Sequence, residues 1–216
     1  MSGVATPDEL RMIRELETKV DLDRSPAEEL LRLAQLYIRP MFKEALAIPV
    51  LEKILERDPG NAWATYWLAY CHLHYGIDQP SLLKAKQLLE SWLVSHECND
   101  SNAEECAAVH ELLVEVRDDI LLSDISDAER VALLEESVRL APQWSGNRWY
   151  LARAYIAVGR IEDAISQLEA AQANMIAADP CWDPTEDYFE RSVTGRANYY
   201  LVDELPKMLQ ELRKRV

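Results

Sequence analysis

The sequence predicts an all-α protein, an α-solenoid of helix-turn-helix repeats with about eleven helices. Three observations lead there. First, a pattern recurs. Leu33-Ala34-x-x-Tyr37, Leu68-Ala69-x-x-His72 and Leu151-Ala152-x-x-Tyr155 are each followed by a second run. Those runs are Ala47-x3-Leu51-x2-Ile54, Ala85-x3-Leu89-x2-Trp92 and Ala164-x3-Leu168-x2-Ala171. Such spacing puts a large and a small residue on one helix face, so two helices approach closely and large side chains fill the gap between hairpins. Second, only 6 of 216 residues are glycine, well under the usual ~7%, which disfavours a turn-dense β-sandwich. Third, helix-start signals recur: Thr6/Glu9, Ser25/Glu28, Ser126/Glu129 and the acidic equivalent Asp183/Glu186.

The elements follow in order. Residues 1–24 form a capping helix, with Leu10, Ile13, Leu16 and Val20 on one face and Pro7 at its first position. Residues 25–183 hold about four repeats. The first opens at Ser25 and Pro26 and ends at the Arg57-Asp58-Pro59-Gly60-Asn61 junction. The second carries an expanded turn at 76–80, with Pro80 opening its second helix. The third is the least regular: a long first helix near 102–122, then Val131, Leu134, Ser137 and Pro142 in its second. Trp144 leads into the fourth, which turns at Gly159. Residues 184–216 form a divergent repeat or a pair of capping helices, with Pro184 at the start. Pro49 and Pro206 fall inside helical runs and are expected to bend or delay them. No low-complexity linker divides the chain, so one domain is expected.

This order of large, small and proline positions resembles the tetratricopeptide repeat, a helix-turn-helix unit of 34 residues. The junction at 57–61 and the Gly159-Arg160-Ile161-Glu162-Asp163-Ala164 turn are especially similar to it. The resemblance covers about 25–215 and implies a right-handed superhelix whose concave groove is lined by the first helix of each repeat.

Composition narrows the function classes. The chain is 49% hydrophobic and 28% charged, which is globular. It has no 18-residue apolar run and no basic start with an apolar core, so neither a membrane span nor a secretory signal is expected. Cys71, Cys98, Cys106 and Cys181 are scattered without a C-x-x-C pair, and reduced thiols in the cytoplasm are expected. The net charge of −15 argues against nucleic acid as a partner, since that binding needs clustered Lys and Arg. Residues 97–136 hold 13 acids against Arg117 and Arg130 alone. This block is either a solvated helical face or a docking surface for a basic partner.

Chemistry is not signalled. There is no phosphate loop, nucleophile elbow or H-E-x-x-H, so no catalytic residue, no cofactor and no enzymatic activity is expected. His96, Cys98, Cys106 and His110 are zinc-capable side chains close in sequence. Their spacing matches no familiar finger, and no metal is expected.

The informative feature is aromatic. Trp63, Tyr66, Tyr70 and His74 share one helical stripe, which the resemblance places in the concave groove. The matching stripe of the fourth repeat holds Trp149, Arg153 and Ile156, and that of the last hairpin Phe189, Arg196 and Tyr200. Trp67 and Trp92 fall off the stripe and read as packing residues. Large rigid rings and forked guanidinium donors concentrate binding energy at interfaces, although the same rings could instead pack between hairpins. The lysine and asparagine clamp for a chaperone's C-terminal carboxylate is absent: the matching stripes offer Glu28, Leu31 and Gln35, then Trp63, Tyr66 and Tyr70. The expectation is a non-enzymatic, cytoplasmic scaffold or adaptor that takes a peptide or helix in its groove. Two alternatives stand beside it: an acidic inhibitor or immunity protein that neutralises a basic toxin or nuclease, and a secretion chaperone.

Overall fold

The computed structural model describes residues 7–38, 43–75, 78–119, 123–177 and 204–216. Among these, ten helices and no strand occur. They are α1 (Pro7–Lys19), α2 (Ala27–Ile38), α3 (Glu44–Arg57), α4 (Ala62–His74), α5 (Gln79–Ser95), α6 (Ala103–Asp118), α7 (Asp127–Leu140), α8 (Ser145–Ala157), α9 (Ile161–Ala177) and α10 (204–212). The chain divides into two compact units. The first comprises Met1–Glu97 with Glu115–Ser123, and the second Cys98–Val114 with Asp124–Val216.

In the first unit, α2 pairs with α3 and α4 with α5. Ala34, Ala47, Ala69 and Ala85, the small residues of the recurring pattern, are wholly buried there. Their missing bulk lets the paired helices touch, while Leu33, Leu51, Leu68 and Leu89 fill the surrounding space. In the second unit, Ala152, Ala164 and Ala171 play the same part in a core with Leu134, Leu151, Leu168, Leu205, Leu209 and Leu212.

Local signals set the helix ends. At α7, Glu129 N–H donates to Ser126 Oγ (3.3 Å) while Ser126 N–H donates to Glu129 Oε2 (3.0 Å), closing the expected capping box. Asp78 caps α5 by accepting from Ser81 N–H at 2.8 Å, and Pro80 follows where no N–H partner exists. The Ser25 hydroxyl accepts the Asp21 N–H at 3.1 Å and closes the turn that leads into α2. Thr6/Glu9, Asp183/Glu186 and Pro184 lie outside the described residues or side chains. α3 runs through Pro49. The proline and Ala45, whose carbonyl loses its partner, are both exposed, so the lost bond falls on the solvent side. Pro206 is the third residue of α10, within the first turn, where helix N–H groups have no partner anyway.

α8 ends on Gly159 at φ 78°, with Arg160 N–H bonded to Tyr155 O (2.8 Å) and Gly159 N–H to Ile156 O (3.1 Å). These two bonds make a Schellman motif, which satisfies the last carbonyls of the helix and needs a residue free of Cβ strain at the left-handed position.

One device repeats in space as well as in sequence. The hydroxyl of Tyr37 donates to Glu17 Oε1 at 2.9 Å, and that of Tyr155 to Glu135 Oε1 at 2.7 Å. Each glutamate lies 20 residues before its tyrosine. α1 therefore offers α2 the same latch that α7 offers α8, although α1 belongs to no recognisable repeat. Burial first, and the carboxylate partner second, push both phenols up to about 12. A phenol raised in the fold stabilises it below the ordinary value near 10 and loses that contribution as pH climbs toward the raised value. The double variant Tyr37→Phe/Tyr155→Phe should therefore show a shallower fall in melting temperature over that window than the wild type. An unchanged alkaline slope would remove the latches from the stability account.

Candidate functional site

α4 carries the aromatic stripe, and its entry is held firmly. Asn61 caps the helix by accepting from Ala64 N–H at 3.0 Å, and its carbonyl accepts the Thr65 hydroxyl at 3.0 Å. Trp92 on α5 donates its indole N–H to Gly60 O at 3.0 Å, and His96 stacks on the same indole with centroids 4.6 Å apart. A Cβ on Gly60 would stand 3.1 Å from His96 Nε2, so the junction packs against this pair and a side chain there would press on it. Trp92 is buried, as expected of a packing residue.

Along the stripe the rings follow one another. Trp63 meets Tyr66 edge-on at 6.0 Å, Tyr66 stacks with Tyr70 at 6.5 Å, and Tyr70 meets His74 at 4.1 Å. Trp67 enters from the flank, 5.2 Å from Tyr66 and 5.4 Å from Tyr70, and is itself fully buried. Offset and edge contacts of this kind hold the rings in place. The stripe is not uniform. Tyr70 is sealed at 7% exposure, while Trp63, Tyr66 and His74 remain half-buried and keep accessible surface. His74 Nε2 lies 3.8 Å from Glu115 Oε1.

The opposite face of α4 holds a feature that no sequence motif signals. Thr65, Leu68 and His72 line a groove of about 590 Å³ with Glu52 and Leu55 of α3 and Lys84 and Leu88 of α5. Burial, with Lys84 nearby, lowers the His72 pKa. The lining comes from three helices and from Pro59 in the turn between α3 and α4, and no spacing within one segment reveals such a convergence.

In the second unit, Trp149 is half-buried against the core and Ile156 packs on it too, while Arg153 is exposed. Its neighbour Arg148 is engaged within the fold, donating to Pro142 O (2.8 Å) and Gln167 Oε1 (2.7 Å). Phe189, Arg196 and Tyr200 lie outside the described residues. The α4 stripe and the Trp149–Arg153 face are thus two faces on two units.

The cysteines correct the sequence reading. Cys98 and Cys106 form a disulfide, with Cα atoms 5.9 Å apart, where reduced thiols were expected. The physical reason is the helix start: α6 begins at Ala103 after an asparagine-rich turn, which folds Cys106 back onto Cys98. Two of the four zinc-capable residues are consumed by this bond. Among the described residues no cluster of three or more His, Cys, Asp or Glu could hold a metal. Cys71 is a buried thiol, pushed up to about 12 by burial, and Cys181 lies outside the described residues.

Part of the acidic block is internally engaged. Glu135 receives Tyr155 and Arg160, Glu136 pairs with Arg139 at 2.6 Å, Asp127 pairs with Arg130, and Glu129 closes the α7 cap.

No protein-family model matches the chain, and no curated protein matches it. Solved structures do. MamA from Desulfovibrio magneticus RS-1 (residues 41 to the end) superposes with a TM-score of 0.56 at 16% identity, covering 80% of this chain and 89% of that one. A crystal structure of MamA gives 0.54 at 19% identity, covering 79% and 90%. An assembly chaperone of RpL4 (Acl4, residues 1–338) gives 0.53 at 16% identity, covering 96% and 90%. At these identities the likeness establishes the fold, an all-α array of tetratricopeptide-like helix hairpins.

Proposed function

We propose that this protein is a non-enzymatic scaffold or adaptor, a divergent member of the tetratricopeptide class, that receives a peptide or helix of a protein partner. The observation that carries the reading is the α4 stripe. Trp63 and Tyr66 are held by their neighbours yet keep accessible ring surface, which is the character of an interface anchor. Exposed Arg153 with half-buried Trp149 offers a second contact face on the other unit, suited to a carboxylate. The likeness in fold to an assembly chaperone supports a protein partner, and among the described residues no helix is long and apolar enough to cross a membrane. The setting belongs to the same proposal: a cytoplasmic protein whose partner is a protein or peptide and not nucleic acid. The acidic inhibitor reading and the secretion-chaperone reading share this fold, and the first rests on the 97–136 block.

Three variants distinguish the readings once a partner has been recovered by pull-down from native lysate. Trp63→Ala should weaken capture by about thirtyfold, the cost of losing an anchor worth about 2 kcal/mol, at little cost to the melting temperature. Arg153→Glu should weaken capture likewise. Asp118→Lys/Asp119→Lys should leave capture unchanged. Loss of capture in the charge-reversal variant alone, with association slowed and its salt dependence flattened, would overturn the groove reading in favour of the inhibitor.

A further inference from the structure

The Cys98–Cys106 disulfide is asymmetric. Cys106 is wholly buried, in a run with Ala107, Ala108 and Val109 that is equally buried, whereas Cys98 is only half-buried. An attacking thiolate must reach the sulfur it bonds, so access decides which of the two is attacked. The turn between them is held by bonds that owe nothing to the sulfurs. Asn99 N–H donates to Asn102 Oδ1 (2.8 Å), Ser101 donates to Asn99 Oδ1 from both its N–H (2.9 Å) and its hydroxyl (2.6 Å), and Cys106 N–H donates to Asn102 O (3.0 Å). Opening the disulfide therefore leaves the two cysteines close together.

We propose that this disulfide is a reversible modification site for a low-molecular-weight thiol of the glutathione class, which adds at Cys98 while Cys106 serves as the resolving cysteine. The thiolate attacks Sγ of Cys98, and a new sulfur–sulfur bond forms there as the Sγ98–Sγ106 bond breaks. The electron pair leaves on Sγ of Cys106, which takes up the proton that the incoming thiol gave up. The incoming sulfur is oxidised to the disulfide level and Cys106 is reduced to a thiol. In the reverse step Cys106 attacks Sγ of Cys98, expels the small thiol and restores the staple. Cys71 cannot stand in for either partner, because it is wholly buried elsewhere, in α4. The proposal is independent of the scaffold reading.

The test uses the full chain, purified without reductant, in a Cys181→Ser background. Cleavage after glutamate separates residues 98–104 from 106–111, so the sulfur bond alone joins them. After exposure to reduced glutathione, acid quenching and alkylation of the unfolded chain with N-ethylmaleimide, mass spectrometry should find glutathione on Cys98 and maleimide on Cys106. An excess of about tenfold over the opposite pattern is expected. Adducts on Cys106, or equal adducts on both, would overturn the assignment, as would maleimide on both cysteines of chain never exposed to thiol. Resolution is read separately. After glutathione is removed, the thiolated chain should return to the disulfide, whereas Cys106→Ala, loaded with oxidised glutathione, should retain its Cys98 adduct. Equal retention by both would remove Cys106 from its role.

Discussion

Trp67→Ala is expected to lower the free energy of unfolding by about 3–5 kcal/mol, more than any other single change in the α4 stripe or beside it. Trp67 is 2% exposed, the largest of the fully buried side chains, and lies edge-on to both Tyr66 and Tyr70. Truncating it removes the transfer free energy of an indole and leaves a cavity that two helix hairpins cannot collapse to fill. The neighbouring Trp63→Ala, which uncovers a half-buried ring, should cost less than about 1 kcal/mol of stability. Urea unfolding followed by far-ultraviolet circular dichroism measures both. If the two variants lost the same stability, Trp67 would not be the wedge that holds the stripe, and the division between packing and binding rings on α4 would fail. Tyr70 belongs with Trp67 here: its burial means that Tyr70→Ala acts on melting before it acts on any partner.

The second large effect is overpacking. Ala152→Leu should destabilise by about 1–3 kcal/mol, because Ala152 is wholly buried in the core that also holds Ala164, Leu168 and Ala171. A leucine there meets α9 where the two helices touch and must push them apart or leave its rotamer. Ala157→Leu, at the exposed end of the same helix, shares the propensity change without the clash and should be nearly silent. Equal melting temperatures for Ala152→Leu and the wild type would show that the fourth hairpin is not packed through its small residue.

These two variants also mark how far local pattern reaches. The alanines that repeat along the chain, Ala34, Ala69 and Ala152 with Ala47, Ala85 and Ala164, are all wholly buried. Helix periodicity and the demand for a small residue at a hairpin contact are written in adjacent turns, so spacing alone locates them. The Ser126/Glu129 box and the Gly159 turn were legible for the same reason, because caps and turns are settled within a few residues.

The aromatic stripe was legible as a stripe and no further. Trp63, Tyr66, Tyr70 and His74 share an α4 face by spacing, yet Tyr70 is sealed and the other three are half-open, a difference that spacing does not carry. Among the arginines, spacing singled out Arg153 and Arg196, of which Arg196 lies outside the described residues, while the carbonyl of Pro142 and the amide of Gln167 drew in Arg148. The groove at Thr65, Leu68 and His72 needs walls from α3 and α5, and the sulfur pair needs a turn that folds α6 back on its approach. The sequence by itself determined which residues form helices, where those helices end, and which small side chains lie between them. The folded structure alone decided which rings stay open, which charges are engaged and which cysteines pair. The reason is that spacing fixes a residue's place on its helix but not which side chains close around it, whether near in sequence, as Cys98 and Cys106 are, or from another helix, as Glu135 is to Tyr155.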